Sequence, residues 1–345
     1  MTFPGGADNV TLAGTLSQPE GDGPFPAVVL LSGSGPQDRD EALFGHRPFL
    51  VLADSLTRRG IAVLRFDDRG VGRSTGSFAT ATLSDFTADA AAAFGFLTAQ
   101  PNVDPARCGL VGHSEGAAYA MVLAAGDAAS LDDAPPNAVA GPSEPLPHPV
   151  AFAVLLAGPG VPMVDVFEDQ AATYLRSLDI GDAETDARLA WRTRAHGLLL
   201  RIDTPGDAAS KAFREYMATL PTNDQEREEY TRWAQTMEQR YQRELLAFDA
   251  ARYVPHIDVP VLILNGEKDV QVRAEPNLAA FRAAADSTDA GPFPIESLPG
   301  LNHLFQTAKT GAVTEYGEID ETFAPAALDR IGDWIIETAD KPQES

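Results

Sequence analysis

The sequence predicts an α/β fold in which helices flank a mostly parallel central sheet and a helical cap is inserted into this core. Short apolar runs alternate with helical patterns early in the chain and again near its end, which is typical of parallel β–α–β units. The residues between contain only helical patterns, including a charged amphipathic run over 224–248. We therefore predict a core formed by residues 1–162 and 254–345, and a cap formed by residues 163–253.

Each predicted strand is a short apolar run, and each predicted helix carries apolar residues on one face. The strand at 26–31 ends at the loop 32–36, whose glycines and proline stop regular structure. A helix over 48–59 follows, with apolar residues at helical spacing and a glycine after its last residue. The same patterns give, in chain order, a strand at 61–66, a helix at 83–97, a strand at 108–111 and a helix at 117–125.

The remaining core elements lie on either side of the predicted cap. A proline-rich stretch over 126–149 is predicted to be a surface loop without regular structure, and a strand at 150–157 follows it. After the cap, the apolar runs 259–264 and 295–298 predict two further strands. A helix over 325–338 then closes the core.

The composition excludes several classes of protein. The 345-residue chain has 50 acidic and 26 basic residues and a net charge of −24, so it should repel nucleic acids and anionic membrane surfaces. Its longest apolar run, 117–125, is much shorter than the roughly 20 residues of a membrane-spanning helix. Cys108 is the only cysteine, which excludes an internal disulfide and a thiolate-bound metal cluster. The first residues lack the features of a signal peptide, so we expect a cytoplasmic protein.

The segment 112–116, Gly-His-Ser-Glu-Gly, matches the pattern G-x-S-x-G. It follows a predicted strand directly and leads directly into a predicted helix, which is the setting of a nucleophile elbow. In such a turn the serine has a strained backbone, and the flanking glycines prevent collisions with neighbouring main chain. We therefore predict that Ser114 is a nucleophile at the carboxyl edge of the sheet.

A serine hydroxyl needs a base, and the base needs an acid to orient it, in the chain order serine, acid, histidine. His303 is the only histidine after residue 256 and lies in the loop after the strand 295–298, so it is the predicted base. Asp269 follows the strand 259–264 and is the predicted acid. Glu267, two residues closer to the strand, is the competing candidate.

The oxyanion of a tetrahedral intermediate needs two backbone N–H donors. One is expected from Glu115, the residue after the nucleophile. The other is expected from the loop after the first strand, where Ser34 is the preferred donor and Gly35 the alternative.

Three other patterns are interpreted as structural. The glycines of 70–76 resemble a dinucleotide-binding loop, but a polar stretch rather than a helix follows them. The segment 113–115 resembles the H-x-E of a zinc deaminase, which a chain with one cysteine cannot complete. The acidic residues within 38–41 are expected to be solvated loop charges, and those of 67–69 to form pairs near a strand end. The sequence thus indicates neither a metal nor a cofactor.

Five motifs occur in the same order as in a known superfamily. They are 31–40 (LSGSGPQDRD), 66–76 (FDDRGVGRSTG), 112–116 (GHSEG), 264–269 (LNGEKD) and 300–303 (GLNH). These segments resemble the α/β-hydrolase superfamily, and within it the bacterial and archaeal carboxylesterases grouped with the serine aminopeptidase branch. The resemblance implies that Ser114, Asp269 and His303 form a catalytic triad. It also implies a carboxylesterase that cleaves small-molecule esters through an acyl-enzyme, without a cofactor.

Two alternatives remain at this point. An aminopeptidase or amidase of the same fold would need a carboxylate in the cap for the α-ammonium group of its substrate, and Glu168, Asp169 or the acidic group within 226–229 could supply it. A non-catalytic protein that binds a small ligand on a hydrolase scaffold is the second alternative.

Overall fold

The computed structural model describes residues 1–126, 137–178, 180–204, 206–220, 223–286 and 293–341. These residues form two compact units. The first contains 1–126, 140–161 and 250–341, and the second contains 137–139 and Pro162–Asp249. The prediction of an irregular loop falls partly on residues 127–136, which lie outside the described residues. No helix within the described ranges is long and apolar enough to cross a membrane.

The first unit is built around a sheet that has eight strands within the described residues. The strands are β1 (Thr2–Pro4), β2 (Thr11–Ser17), β3 (Phe25–Leu31), β4 (Ala62–Phe66), β5 (Val103–His113), β6 (Phe152–Leu156), β7 (Val261–Gly266) and β8 (Ile295–Leu298). Their order is β1-β2-β4-β3-β5-β6-β7-β8, in which the β1–β2 and β2–β4 pairs are antiparallel and the other five pairs are parallel. The prediction of an α/β fold with a mostly parallel sheet is therefore confirmed.

The helices of the described residues are divided between the two units. They are α1 (Pro48–Arg58), α2 (Leu83–Thr98), α3 (Glu115–Ala124), α4 (Met163–Ser177), α5 (Asp182–Leu199), α6 (Ala208–Ala218), α7 (Asp224–Met237), α8 (Arg240–Ala247), α9 (Ala274–Ala285) and α10 (Pro325–Ala339). Short 3₁₀ turns cover Phe78–Thr80, Ala250–Arg252, Val254–His256 and Val313–Glu318. The second unit contains α4 to α8, and the other helices belong to the first.

The core of the first unit lies on both faces of the sheet because its central strands are apolar on both sides. In β3, Val28 and Leu30 pack into a buried cluster with apolar residues of α1 and α10. Side chains alternate along a strand, so Val29 and Leu31 point to the opposite face. On that side α2 and α3 contact β3 and β5. Helices on both faces bury residues 27–31 of β3 and every residue of β6 and β7.

The second unit has an apolar cluster of its own, which includes Leu199, Phe213 and Leu246. The charged amphipathic run over 224–248 forms two helices, α7 and α8, because Gln239 between them has an extended backbone with φ −62° and ψ 144°. No glycine or proline marks this break, so the amphipathic pattern does not reveal it.

The parallel strands place four chain turns at one edge of the sheet. β3 ends at Leu31, β5 at His113, β7 at Gly266 and β8 at Leu298. Since neighbouring parallel strands run in the same direction, the loops that follow them all begin at the carboxyl edge. The residues predicted to be functional lie in these four loops.

Candidate active site

Ser114 lies in a sharp turn between β5 and α3. Its backbone has φ 53° and ψ −117°, a strained conformation for a residue with a side chain, typically costing about 1–3 kcal/mol. A Cβ atom at Gly112 would lie 2.2 Å from the carbonyl oxygen of Gly116, and one at Gly116 would lie 2.1 Å from that of Leu31. Both positions of the G-x-S-x-G pattern therefore require glycine for steric reasons.

His303 connects the serine to an acid through both of its ring nitrogens. Its Nε2 lies 3.1 Å from the Oγ of Ser114, and its Nδ1 lies 2.7 Å from the Oδ2 of Asp269. His303 is 5% exposed and Asp269 is 3% exposed. The structure thus brings together three side chains that follow β5, β7 and β8 in one hydrogen-bonded chain.

The Asp269 carboxylate is fixed by the main chain that follows it. Its Oδ1 accepts hydrogen bonds from the N–H groups of Gln271 (2.8 Å) and Val272 (2.9 Å), which leaves Oδ2 for the imidazole. Glu267, the competing candidate, instead accepts the N–H of Gly300 at 2.9 Å. The structure therefore places Asp269, rather than Glu267, against His303.

The loop that carries His303 is held by a buried asparagine that the sequence analysis did not single out. The Oδ1 of Asn302 accepts the N–H groups of Leu304 (3.0 Å) and Gln306 (2.9 Å). The loop also passes directly over the end of β7, since a Cβ at Gly266 would lie 2.3 Å from the carbonyl oxygen of Leu301. An asparagine beside the histidine, a residue type that often bonds local main chain, was the available signal.

One predicted oxyanion donor directly follows the serine in the chain, and the other lies in the loop after β3. We call residues 32–37 the oxyanion loop; it begins beside Ser114, since a Cβ at Gly33 would lie 3.3 Å from the serine Cβ. Within the described residues, the N–H groups of Ser34 and Gly35 donate no hydrogen bond. Glu115 is the first residue of α3, where helical N–H groups favour a negative charge.

The buried carboxyl group of Asp68 is hydrogen-bonded to both ends of the oxyanion loop. The Oδ2 of Asp68 accepts the N–H of Gln37 at 2.9 Å, and its Oδ1 accepts the hydroxyl of Ser32 at 3.3 Å. Burial raises the pKa of Asp68 to about 8, against the lowering effect of the Gln37 hydrogen bond and with a further increase from the charge of Glu115. At neutral pH, Asp68 therefore holds a proton.

The prediction that the acids within 38–41 are solvated loop charges is wrong for two of them. Asp40 forms an ion pair with Arg65, which is buried within the otherwise apolar β4. Glu41 is only 2% exposed, and its Oε1 accepts the N–H of Gly33 at 2.7 Å and lies 2.8 Å from Nδ1 of His113. An arginine inside an apolar strand needs a buried partner, which was the signal for Asp40. For Glu41 there was no local signal.

The charged residues next to the glycines of 70–76 have structural roles. Asp67 pairs with Arg39 at 2.7 Å and Arg69 pairs with the buried Asp89 at 2.6 Å. The helix after this segment, α2, begins only at Leu83, which is unlike a dinucleotide-binding loop. Among the described residues, no group of three or more histidine, cysteine or acidic side chains could hold a metal ion.

Sequence comparison identifies relatives of the chain. A family model described as "Alpha/beta hydrolase family" matches residues 28–314. Esterase EstD of Thermotoga maritima is 25% identical over 330 residues, which cover 94% of this chain and 65% of EstD. An uncharacterized protein of Mycobacterium tuberculosis is 36% identical over 118 residues, which cover 34% of this chain and 38% of that protein. The chain thus spans just under two thirds of the length of EstD.

Solved structures share the fold. Est1E from Butyrivibrio proteoclasticus with bound ferulic acid has a TM-score of 0.52 at 16% identity, covering 99% of this chain and 100% of Est1E. The Pyrococcus furiosus esterase PF2001 has a TM-score of 0.53 at 18% identity, covering 98% of this chain and 89% of the esterase. At such identities the likeness shows the fold alone. Since the family model covers most of the chain, in agreement with the motifs of the sequence, this protein belongs to the alpha/beta hydrolase family.

Proposed function

We propose that the protein is a serine hydrolase that cleaves carboxylic esters through an acyl-enzyme. The observation that carries this proposal is the hydrogen-bonded chain from Ser114 through His303 to Asp269. A hydroxyl, an imidazole and a carboxylate in this order are what nucleophilic catalysis by serine requires.

In the first step, His303 Nε2 removes the hydroxyl proton of Ser114 as the serine Oγ attacks the ester carbonyl carbon. The carbonyl π electrons move to oxygen, and the resulting oxyanion accepts hydrogen bonds from the N–H groups of Glu115 and Ser34. Loss of one such donor typically lowers kcat by about 10²–10³-fold. Asp269 keeps Nδ1 of His303 protonated and stabilises the imidazolium that forms.

In the second step, the tetrahedral intermediate collapses. The bond from carbon to the alcohol oxygen breaks, and the imidazolium of His303 gives its proton to the leaving alcohol, which leaves an acyl ester on Ser114. Water then attacks this ester with His303 as the base, and the carboxylic acid and the free serine are regenerated. The cycle needs no redox partner: one ester and one water molecule are consumed, and one alcohol and one carboxylic acid are released.

Esters are the proposed substrates because esterase EstD is related over most of this chain. The aminopeptidase alternative requires a carboxylate that can bind an α-ammonium group. Glu168 is already engaged, since it lies 2.6 Å from Nδ1 of His196 and accepts the hydroxyl of Thr193 at 2.9 Å. No other observation favours this alternative. We also keep the proposal that residues 163–253 act as a cap that selects among acyl chains.

The test is a panel of p-nitrophenyl esters of increasing acyl length, measured beside aminoacyl p-nitroanilides. We expect the wild type to hydrolyse esters, and Ser114→Ala to lower kcat by about 10⁴-fold or more without lowering Tm. Ser177→Ala, which removes an exposed serine hydroxyl from α4, is the matched control and should keep full activity.

Three results would contradict the proposal. Faster turnover of the anilides than of the esters would favour the aminopeptidase. Full ester hydrolysis by Ser114→Ala would exclude this serine as the nucleophile. A folded wild type that neither hydrolyses esters nor reacts with a fluorophosphonate at Ser114 would favour a ligand-binding protein.

A further inference from the structure

A second histidine and carboxylate pair is buried next to the proposed active site. Glu41 is 2% exposed and His113, the residue before the nucleophile, is 6% exposed. Nδ1 of His113 lies 2.8 Å from the Oε1 of Glu41, and its Nε2 lies 3.0 Å from the main-chain carbonyl oxygen of His303. The mechanism proposed above uses neither side chain.

The partners of His113 determine its charge. A carboxylate oxygen and a main-chain carbonyl oxygen are both acceptors, so each ring nitrogen must donate a proton. A neutral imidazole has only one N–H, and one of the two contacts would then be repulsive. Both contacts are satisfied when His113 is an imidazolium paired with an ionised Glu41.

We propose that Glu41 and His113 form a buried ion pair that positions the oxyanion loop and the His303 loop on the two sides of Ser114. This inference rests on the proposed function. Glu41 holds the oxyanion loop through the N–H of Gly33, one residue before the proposed donor Ser34. His113 holds the other side through the carbonyl oxygen of His303.

The surrounding charges agree with this assignment. The titratable groups that face His113 are Glu41, Asp269 and His303, whose ring centroid lies 4.9 Å from that of His113. Burial alone would lower the pKa of His113, but the charge and hydrogen bond of Glu41, with a contribution from Asp269, raise it. The net direction of the His113 pKa shift therefore agrees with the imidazolium that the two acceptor contacts require.

Glu41 also has two energetically unfavourable features, one in its backbone and one in its side chain. It has a backbone φ of 52°, and within the described residues its buried Oε2 has no hydrogen-bond partner. One oxygen, Oε1, serves both Gly33 and His113. Strained backbone and an unsatisfied buried oxygen are both unfavourable, and backbone strain of this kind is concentrated at functional sites.

Glu41→Gln removes the negative charge of the side chain but keeps nearly the same shape. Its amide oxygen can still accept the N–H of Gly33, and it can accept the Nδ1–H of a neutral His113. The Nε2 of that neutral ring then has no proton to donate to His303, so the tie to the His303 loop is lost. His113→Gln removes the ring itself and is the second variant.

His46→Gln is the matched control. His46 is also a buried histidine of the first unit with both nitrogens engaged, by Thr322 (2.9 Å) and by the carbonyl oxygen of Tyr316 (3.0 Å). It makes no hydrogen bond to the oxyanion loop or to His303 among the described residues. We expect it to lose stability but to keep its activity.

The kinetic test measures ester hydrolysis per serine that a fluorophosphonate labels, so that unfolded protein is not counted. We expect Glu41→Gln and His113→Gln to lower kcat by about 10–100-fold with little change in KM, because small misplacements of catalytic groups have effects of this size. His46→Gln should show a lower Tm and an unchanged kcat. If both variants lower Tm but keep kcat per labelled serine, the pair is merely structural and the inference is wrong.

A spectroscopic test addresses the charge without catalysis. In wild-type protein labelled with ¹⁵N-histidine, we expect both ring nitrogens of His113 to stay protonated from pH 6 to pH 9, with His113→Gln used to assign the signals. A single neutral tautomer at pH 7 would overturn the ion pair. If the wild type neither hydrolyses esters nor labels, the proposed function fails as well. If the wild type is active, and Glu41→Gln and His113→Gln have the same kcat per labelled serine as the wild type, this inference alone fails.

Discussion

Asp68→Asn should make the stability of the first unit less dependent on pH. In the folded protein Asp68 is buried beneath the oxyanion loop, and burial raises its pKa from the ordinary value of 3.8 to about 8. In the unfolded chain the same carboxyl group ionises near its ordinary value. Between these pH values, folding therefore takes up about one proton at this residue.

The size of the effect follows from proton linkage. Because the folded state binds the extra proton, each pH unit in this interval lowers the free energy of unfolding of the wild type by about 1.4 kcal/mol. From pH 5 to pH 7 the loss is about 2.7 kcal/mol. Asparagine has no proton to exchange, and its oxygen can still accept the N–H of Gln37. The variant should therefore become more stable relative to the wild type as the pH rises, with a plateau above pH 8.

The assay is urea unfolding of both proteins at pH values from 5 to 9. The transition of the first unit is followed by the fluorescence of Trp334, which packs edge-on against Phe152 with ring centroids 6.0 Å apart. Asp8→Asn, at an exposed aspartate of the same unit, controls for the loss of one charge from an acidic protein. A constant free-energy difference between wild type and Asp68→Asn from pH 5 to pH 8 would refute the reasoning.

Three further predictions concern the site and the core. Gly116→Ala should lower the free energy of unfolding by about 3 kcal/mol or more, since its Cβ would lie 2.1 Å from main-chain oxygen. Gly197→Ala, in the interior of α5 with open space around it, should instead raise the free energy of unfolding by up to about 1 kcal/mol. Equal urea midpoints for the wild type and the two variants would contradict both expectations. Asp269→Asn should lower kcat by about 10⁴-fold at similar KM, as the loss of the orienting acid does in serine proteases, and a loss below tenfold would argue against its role. Cys108 should not react with Ellman's reagent at pH 8 until urea unfolds the protein, because burial raises its pKa to about 12; rapid reaction of the folded protein would show that the thiol is accessible.

The sequence predicts those parts of the molecule whose signals are local. β3, β7 and the turn around Ser114 each have an apolar run or a glycine pattern of their own. β2 was missed because its residues are mixed and only partly buried, and it pairs antiparallel with β4 rather than in a β–α–β unit. α9 was missed because Pro276 interrupts its pattern, although a proline in the first turn of a helix is tolerated.

The residues of the candidate active site also divide into those with a local sequence signal and those without one. Ser114, Asp269 and His303 each follow a recognisable strand, and chain order alone narrows the choice of acid and base. The roles of Glu41 and His113 depend on contacts between residues 72 and 190 positions apart in the chain. Such pairings arise from the way the sheet brings loops together, and no spacing in one sequence reveals them.

Most of the second unit, Pro162–Asp249, is inserted in the chain between β6 and β7, which are hydrogen-bonded neighbours in the sheet. About 100 residues separate Leu156 from Val261, yet the entropy of closing a loop grows only with the logarithm of its length. Doubling or halving such an insertion changes the closure free energy by only about 0.6 kcal/mol. The sheet can therefore accept insertions of very different length at this junction while β6 and β7 keep their pairing.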